Sequence, residues 1–296
     1  MTSPSGWPEH PVHVWTCAVA GPPEGYLRVL SADELDVAAR RVSDRAEYMA
    51  AHVLLRTALS WWVPRVPPHA WAFVRSPLGR PEIAEPRAYR RLRFNISHTE
   101  GLVACVLAAG TDCGIDVEPV RRHTDTDALA RRVLSSGEYA EFAGLPDAVR
   151  AHRFLQHWVL KEAYAKARGL GLRLPLDTCG FLLGPGPLRA ELPDAPQPWR
   201  FQQWRPTPWH VAALALRGGQ GRQPQPVHHG APPAGAAAGA SSLDHAGLDG
   251  SGTAPRRVVV GRHGSFPKLS AALVEQGRPP LPPSSALRST APDPAP

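Results

Sequence analysis

The sequence predicts a mixed α+β chain whose ordered part ends near residue 217 and is followed by a disordered tail. Three observations carry this expectation. Short β-rich apolar runs alternate with longer stretches of helical periodicity that open on capping signals. After Gly218 the composition changes: residues 218–296 hold 13 of the 34 prolines and 12 of the 26 glycines, with tracts such as Gly235-Ala-Ala-Ala-Gly-Ala. Such a segment buries too little apolar surface to offset the entropy of ordering. Finally, Arg40-Arg41-Val42 with Glu47-Tyr48 recurs as Arg131-Arg132-Val133 with Glu138-Tyr139, at an offset of 91 residues. Chance and an ancient duplication both account for so few matches.

The elements follow in order. Val12–Ala20 reads as a first strand, closed by Gly21-Pro-Pro. Ser31-Ala-Asp-Glu34 is a capping-box pattern opening a short helix, and Asp44-Arg-Ala-Glu47 opens a longer one that Pro64 stops. Trp71–Val74 is strand-like, and Leu78-Gly-Arg-Pro81 is a turn that displays Arg80. The runs Leu102–Ala108 and Ile115–Val117 are separated by Gly110-Thr-Asp112, which reads as a hairpin turn. Ser135-Ser-Gly-Glu138 opens another helix, and Asp147 caps a long one ended by Gly169-Leu-Gly171. Phe181–Leu183, Trp199–Trp204 and His210–Leu216 close the core as strands; in the tail only Arg256–Val260 and Leu269–Leu273 carry any strand or helix pattern.

Charge and cysteine usage exclude several classes. The formal net charge is +7, spread over core and tail. That suits an anionic ligand and is too mild for nucleic acid. The four cysteines form no CxxC and no metal spacing, as expected of free thiols in a reducing cytoplasm. Met1-Thr-Ser-Pro lacks the basic and apolar regions of a signal peptide, and no apolar run is long enough to span a membrane. Of 33 basic residues only Lys161, Lys166 and Lys268 are lysine. In so arginine-biased a chain, two lysines five residues apart mark places where a compact ammonium is wanted.

Chemistry concentrates in two stretches. Ser97-His98 precedes the first central run, and Asp116 and Glu118 flank Val117 on the second. Residues two apart on a strand share a face, so both carboxylates point one way. They are either the wet face of a half-buried strand or anchors for a hard divalent cation beside a phosphate. The second stretch is Trp158-Val-Leu-Lys161-Glu162-Ala-Tyr-Ala-Lys166, where helical spacing aligns Trp158, Glu162 and Lys166 with Lys161 beside them. An ordinary surface Glu–Lys pair fits poorly beside a tryptophan that marks a buried face. A metal–phosphate ligand would supply both charges with partners.

Asn95-Ile-Ser-His98, Gly114-Ile-Asp-Val-Glu118 and Trp158-x-x-Lys161-Glu162-Ala-x-x-Lys166, in that order, resemble the signature of 4′-phosphopantetheinyl transferases of the large, Sfp-like type. The likeness is closest over residues 45–176 and looser over 12–217. It implies two similar, pseudo-symmetric α/β halves, 1–109 and 110–217, with coenzyme A and Mg²⁺ in the cleft between them and the tail 218–296 outside. It also implies transfer of the phosphopantetheine arm of coenzyme A to a serine of an apo acyl or peptidyl carrier protein by a cytoplasmic monomer. By the same resemblance Asp116, Glu118 and Glu162 bind Mg²⁺, and Glu162 is the candidate base. Lys166 stabilises the departing phosphate, Lys161 stands beside the pyrophosphate, and Ser97 and His98 hold the nucleotide end. Arg80 contacts the adenine nucleotide. Where the family often has a basic residue for the 3′-phosphate this chain has Glu47, so Arg45, Arg40 or Arg41 would have to serve. Two other classes remain: a relative that binds carrier proteins without catalysis, and an unrelated Mg²⁺-dependent phosphohydrolase. His228-His229 is expected to be incidental.

Overall fold

A computed structural model describes residues 12–19, 27–121, 126–184, 188–193, 199–218 and 225–230. Strand β1 is Val12–Ala18, followed by helices α1 (Ala32–Ala39) and α2 (Arg45–Trp62). The ribbon β2 (Ala72–Arg75) and β3 (Pro81–Glu85) leads to β4 (Leu92–Thr99) and β5 (Leu102–Ala109). Then come β6 (Cys113–Pro119), α3 (Thr126–Val133), α4 (Ser136–Ala143) and α5 (Asp147–Arg168). A second ribbon, β7 (Gly180–Leu182) with β8 (Arg189–Glu191), precedes β9 (Trp199–Thr207), β10 (His210–Arg217) and β11 (Pro226–His229).

Two sheets result, β11-β1-β5-β4 and β6-β10-β9. The apolar run of β5 is continuous because both its faces are buried. Val103, Cys105 and Leu107 pack with Ala51, Leu54, Leu55, Ala58 and Leu59 of α2, while Leu102, Ala104, Val106 and Ala108 face the other way. That second face shares a core with Cys113, Ile115 and Val117 of β6 and Ala212, Leu214 and Leu216 of β10. The two sheets therefore pack on each other, with α2 outside the first. Full burial of such side chains contributes about 1.5–3 kcal/mol each.

The order of parts recurs. A strand, a short helix opened by a capping box, a long helix, a 3₁₀ turn, a two-stranded ribbon and two antiparallel strands appear in β1 to β5 and again in β6 to β10, where an additional helix, α3, follows the strand. The strand orders β1-β5-β4 and β6-β10-β9 match as well. All described residues lie in one compact unit, so position 109/110 separates two sheets within it.

Four sequence expectations need correction. Residues 110–112 do not make a hairpin: β5 pairs with β1 and β4, and the chain passes through Gly110, at φ 66°, into the other sheet. The hairpin is β4–β5, turning at Gly101 with φ 71°. Asp44 makes no side-chain cap, because its carboxylate is taken by Arg41, and α5 begins after Pro146 without a capping bond from Asp147. Finally, the segment after 217 is not uniformly without structure. β11 runs parallel to β1, pairing Val12 with Pro226 and Trp15 with His229, and supplies the backbone partners that an edge strand lacks. The stretches 256–260 and 269–273 lie outside the described residues.

Candidate active site at the seam between the sheets

β4 and β6 meet without a backbone ladder. Side chains of β4 replace it: Ile115 N–H donates to Asn95 Oδ1 at 2.9 Å and Val117 N–H to Ser97 Oγ at 3.3 Å. On the other side α5 lies directly on β6. A Cβ on Gly114 would stand 2.1 Å from the Ala163 carbonyl oxygen and 2.4 Å from Ala167 N, so only glycine permits this approach. Gly169, at φ 66°, then ends the helix in the left-handed conformation.

That contact brings the acidic strand under the charged stripe of the helix. Asp116, Glu118 and Glu162 are 2 %, 3 % and 2 % exposed, so the wet-face reading of the strand is wrong. Lys166 Nζ lies 2.6 Å from Asp116 Oδ1 and donates to Ser97 Oγ at 3.1 Å and to the Ile115 carbonyl at 3.3 Å. Ser97 Oγ donates to the same Asp116 Oδ1 at 3.0 Å. Trp158 Nε1 reaches Glu118 Oε1 at 3.4 Å. Burial pulls the Lys166 pKa down, but Asp116, Glu162 and Glu118 outweigh it and raise it, so the ammonium stays charged.

Other expected residues lie elsewhere. Lys161, placed by the resemblance beside a pyrophosphate, is fully buried. Its Nζ pairs with Glu138 Oε2 at 2.6 Å and donates to the carbonyls of Leu176, at 2.8 Å, and Cys179. All three ammonium donors are used, which leaves none for a ligand. Arg80 is not displayed by its turn but folds back, donating to Asp112 Oδ1 and to the Ala167 carbonyl, each at 3.1 Å. The His98 ring lies 6.4 Å from that of Tyr48, and the Arg41 guanidinium lies 4.8 Å over the Tyr48 ring. Arg45 is exposed in the first turn of α2, and Arg41 pairs with Asp44. Sequence reading named Asn95 within a motif and Tyr48 within the repeat but gave neither a role. Asn95 does carry a signal, since it lies two residues before Ser97 on the same face.

Among the described residues no three His, Cys, Asp or Glu groups stand close enough together to hold a metal ion as they are. The donor set nevertheless fits a hard cation. Asp116 Oδ2 is buried and accepts no hydrogen bond among the described residues, and Mg²⁺ takes only one or two carboxylates and completes its shell with water and phosphate oxygens.

The sequence model of the 4′-phosphopantetheinyl transferase superfamily matches residues 112–215, which include Asp116, Glu118, Glu162 and Lys166. The chain is 33 % identical over 224 residues to the 4′-phosphopantetheinyl transferase HetI of Nostoc sp., covering 74 % of this chain and 92 % of that one. It is 30 % identical over 122 residues to the 4′-phosphopantetheinyl transferase Sfp of Bacillus subtilis, covering 41 % and 53 %. A solved holo-(acyl-carrier-protein) synthase from Bacillus anthracis aligns over 36 % of this chain and 94 % of its own, at 18 % identity and a TM-score of 0.32. With the HetI likeness spanning nearly all of that relative, the chain belongs to the 4′-phosphopantetheinyl transferase superfamily.

Proposed function

We propose that the chain transfers the 4′-phosphopantetheine arm of coenzyme A to a serine hydroxyl of an apo acyl or peptidyl carrier protein, with Mg²⁺, releasing adenosine 3′,5′-bisphosphate. The observation that carries this reading is the buried charge cluster at the seam: three carboxylates from β6 and α5 beside one raised-pKa ammonium. In the reaction the serine oxygen forms a bond to the pantetheine-bearing phosphorus. The bond from that phosphorus to the bridging oxygen breaks, and the electron pair leaves on adenosine 3′,5′-bisphosphate. Glu162 is the base proposed to take the serine proton. Lys166, paired with Asp116, is the residue proposed to neutralise the departing phosphate. Asp116, Glu118 and Glu162 are the residues proposed to hold Mg²⁺, which when bound supplies neutralisation of the pyrophosphate and its leaving group.

Lys161 and Arg80, each engaged by other groups of the protein, are proposed as parts of the scaffold that holds α5 in place rather than as coenzyme A ligands. His98 with Arg41 is proposed for the 3′-phosphate. The recurring order of elements supports reading residues 1–109 and 110–217 as two similar halves with the site at their seam. Among the described residues no helix is long and apolar enough to cross a membrane.

Incubation with coenzyme A, Mg²⁺ and a panel of apo carrier proteins tests the reading. A mass gain of one phosphopantetheine on a carrier supports it. Binding without gain points to a non-catalytic relative, and breakdown of coenzyme A without transfer to a phosphohydrolase. Asp116→Ala is expected to reduce transfer by at least about 10²-fold with the fold intact. Near-normal turnover with unchanged Mg²⁺ dependence would overturn the assignment of Asp116.

A further inference from the structure

Ser97 sits where three parts of the seam converge, and its hydroxyl is fully used. A serine hydroxyl has one donor and two acceptor positions. Asp116 as a carboxylate only accepts, so the single O–H goes to Asp116 Oδ1 at 3.0 Å. Both acceptor positions are filled, by Lys166 Nζ at 3.1 Å and by Val117 N–H at 3.3 Å. Ser97 itself is 5 % exposed. A nucleotide phosphate also only accepts, so it could bind Ser97 only by taking the proton that Asp116 holds. The arrangement therefore speaks against Ser97 as a nucleotide ligand.

The same bonds divide the Asp116 carboxylate. Oδ1 receives Ser97 and Lys166 together, while Oδ2 is buried and accepts no hydrogen bond among the described residues. We propose that Ser97 is a positioning residue that fixes Asp116 through Oδ1, and with it Lys166, so that Oδ2 is the oxygen left to take a divalent cation. Hydroxyl, carboxylate and ammonium come from β4, β6 and α5, so one short network ties both sheets and the long helix to the cation-binding oxygen. Removing the hydroxyl frees the carboxylate to rotate and lets Lys166 close on both oxygens, in competition with the cation. The inference rests on the proposed function only for the identity of the cation.

The test measures binding without catalysis. Mn²⁺ binding, followed by electron paramagnetic resonance without coenzyme A, and adenosine 3′,5′-bisphosphate binding, followed by calorimetry without metal, are compared for wild type, Ser97→Ala, Ser97→Cys and Ser97→Thr. Melting curves accompany each. Ser97→Cys is nearly isosteric and bonds weakly, so it remains informative if Ser97→Ala fails to fold, and Ser97→Thr restores the hydroxyl. The alanine and cysteine variants are expected to weaken Mn²⁺ binding about ten-fold, with nucleotide affinity within about two-fold of wild type and threonine recovering Mn²⁺ affinity. A ten-fold loss of nucleotide affinity with unchanged Mn²⁺ binding would make Ser97 a nucleotide ligand and overturn the inference. So would no change in either, or a wild type that binds no Mn²⁺. The transfer assay decides the proposed function separately, since a protein can bind Mn²⁺ through Asp116 and still transfer nothing.

Discussion

The two runs of elements are built around the same polar clasp and differ in what they place beside it. In the first, Glu34 caps α1, accepting the Ser31 N–H at 2.8 Å, and faces His52 at 2.9 Å. Arg56 of α2 donates to Glu34 at 2.9 Å and to the carbonyls of Pro68 and Trp71 at 3.1 and 2.8 Å. In the second, Glu138 caps α4 through the Ser135 N–H at 2.7 Å and faces His157 at 3.0 Å, and Lys161 of α5 bridges it to the Leu176 and Cys179 carbonyls. Each clasp thus fastens a short helix, a long helix and the 3₁₀ turn that leads to a ribbon.

Beyond the clasps the two runs diverge. The residues one and five positions after Arg56 are Thr57 and Trp61; after Lys161 they are Glu162 and Lys166. At the middle of the leading strand, β1 has Trp15 and β6 has Asp116. Trp15 stacks on His229 of β11, with centroids 4.7 Å apart, and Trp61 meets Trp15 edge-on at 5.5 Å. The corresponding trio at the seam is Lys166, Asp116 and Ser97. The first run therefore carries an aromatic cluster where the second carries a buried charge network. Stability can come from either, but only the second offers ionised groups to a ligand.

If the clasps are equivalent, cutting either should destabilise the protein to a similar, large degree. Lys161→Ala and Arg56→Ala each leave a buried glutamate and two carbonyls without their cation, at a cost of about 3–5 kcal/mol. The expected result is a lowered urea midpoint in both, with transfer per folded molecule largely retained. An intact midpoint with abolished transfer in Lys161→Ala would break the comparison and return Lys161 to the pyrophosphate.

Acid should open both clasps. Burial pushes the Glu34 carboxyl up, but its bond to His52, the charges of His52 and Arg56 and the Ser31 N–H outweigh that and hold its pKa at about 2. For Glu138 burial is likewise overcome, by His157 and Lys161, again to about 2. Because both folded values are depressed, this stability is fully present above the unfolded value near 4.5 and is lost as pH falls through about 2. Each shift corresponds to about 3 kcal/mol. Denaturant midpoints for wild type and Glu138→Gln between pH 5 and 2.5 check this. The variant should lose about half of the pH dependence, and identical slopes would mean that the acid lability lies elsewhere.

How much of this was legible depends on the range of the interaction. The capping boxes at Ser31 and Ser135, the periodic helices and the alternating strands are local, and each formed. That Asp116 and Glu118 share one face of a strand, and Glu162 and Lys166 one face of a helix, was legible from periodicity; that the two faces meet was implied only by the family resemblance. The role of Lys161 was not legible, since its partner Glu138 lies a helix away and had already been read as a cap. The repeat was sought at an offset of 91, which aligns Glu47 with Glu138. The capping glutamates that do the same work are Glu34 and Glu138. The four residues of β11 are invisible to periodicity, since nothing local says that Pro226–His229 has a strand edge waiting for it.

The smallest expected effect concerns that edge. β1 and β6 lead their respective runs, but β1 is covered by β11 and β6 by the side chains of β4. Removing residues 220–296 takes away a four-residue parallel ladder, the His229 stack on Trp15 and the 3.0 Å contact of His229 with His13. Aromatic pairs and strand pairing of this size amount to about 1–2 kcal/mol after the entropy of four residues, or a few degrees in Tm. Transfer should be unchanged, because Ser97 lies on β4, at the other edge of that sheet, and Asp116 on β6 of the second sheet. The imidazoles add a signature. His13 is lowered by burial and by His229, and His229 by burial, so the released segment binds protons more readily than the docked one. The contribution of β11 is therefore present above the ordinary imidazole pKa of about 6.5 and shrinks as pH falls below it. Thermal melts of the full chain and of a chain ending at Gly219, run from pH 8 to 5, should differ most at pH 8 and converge on acidification. Coincident melts at pH 8 would show that β1 needs no cover and that the two leading strands are not held in comparable ways.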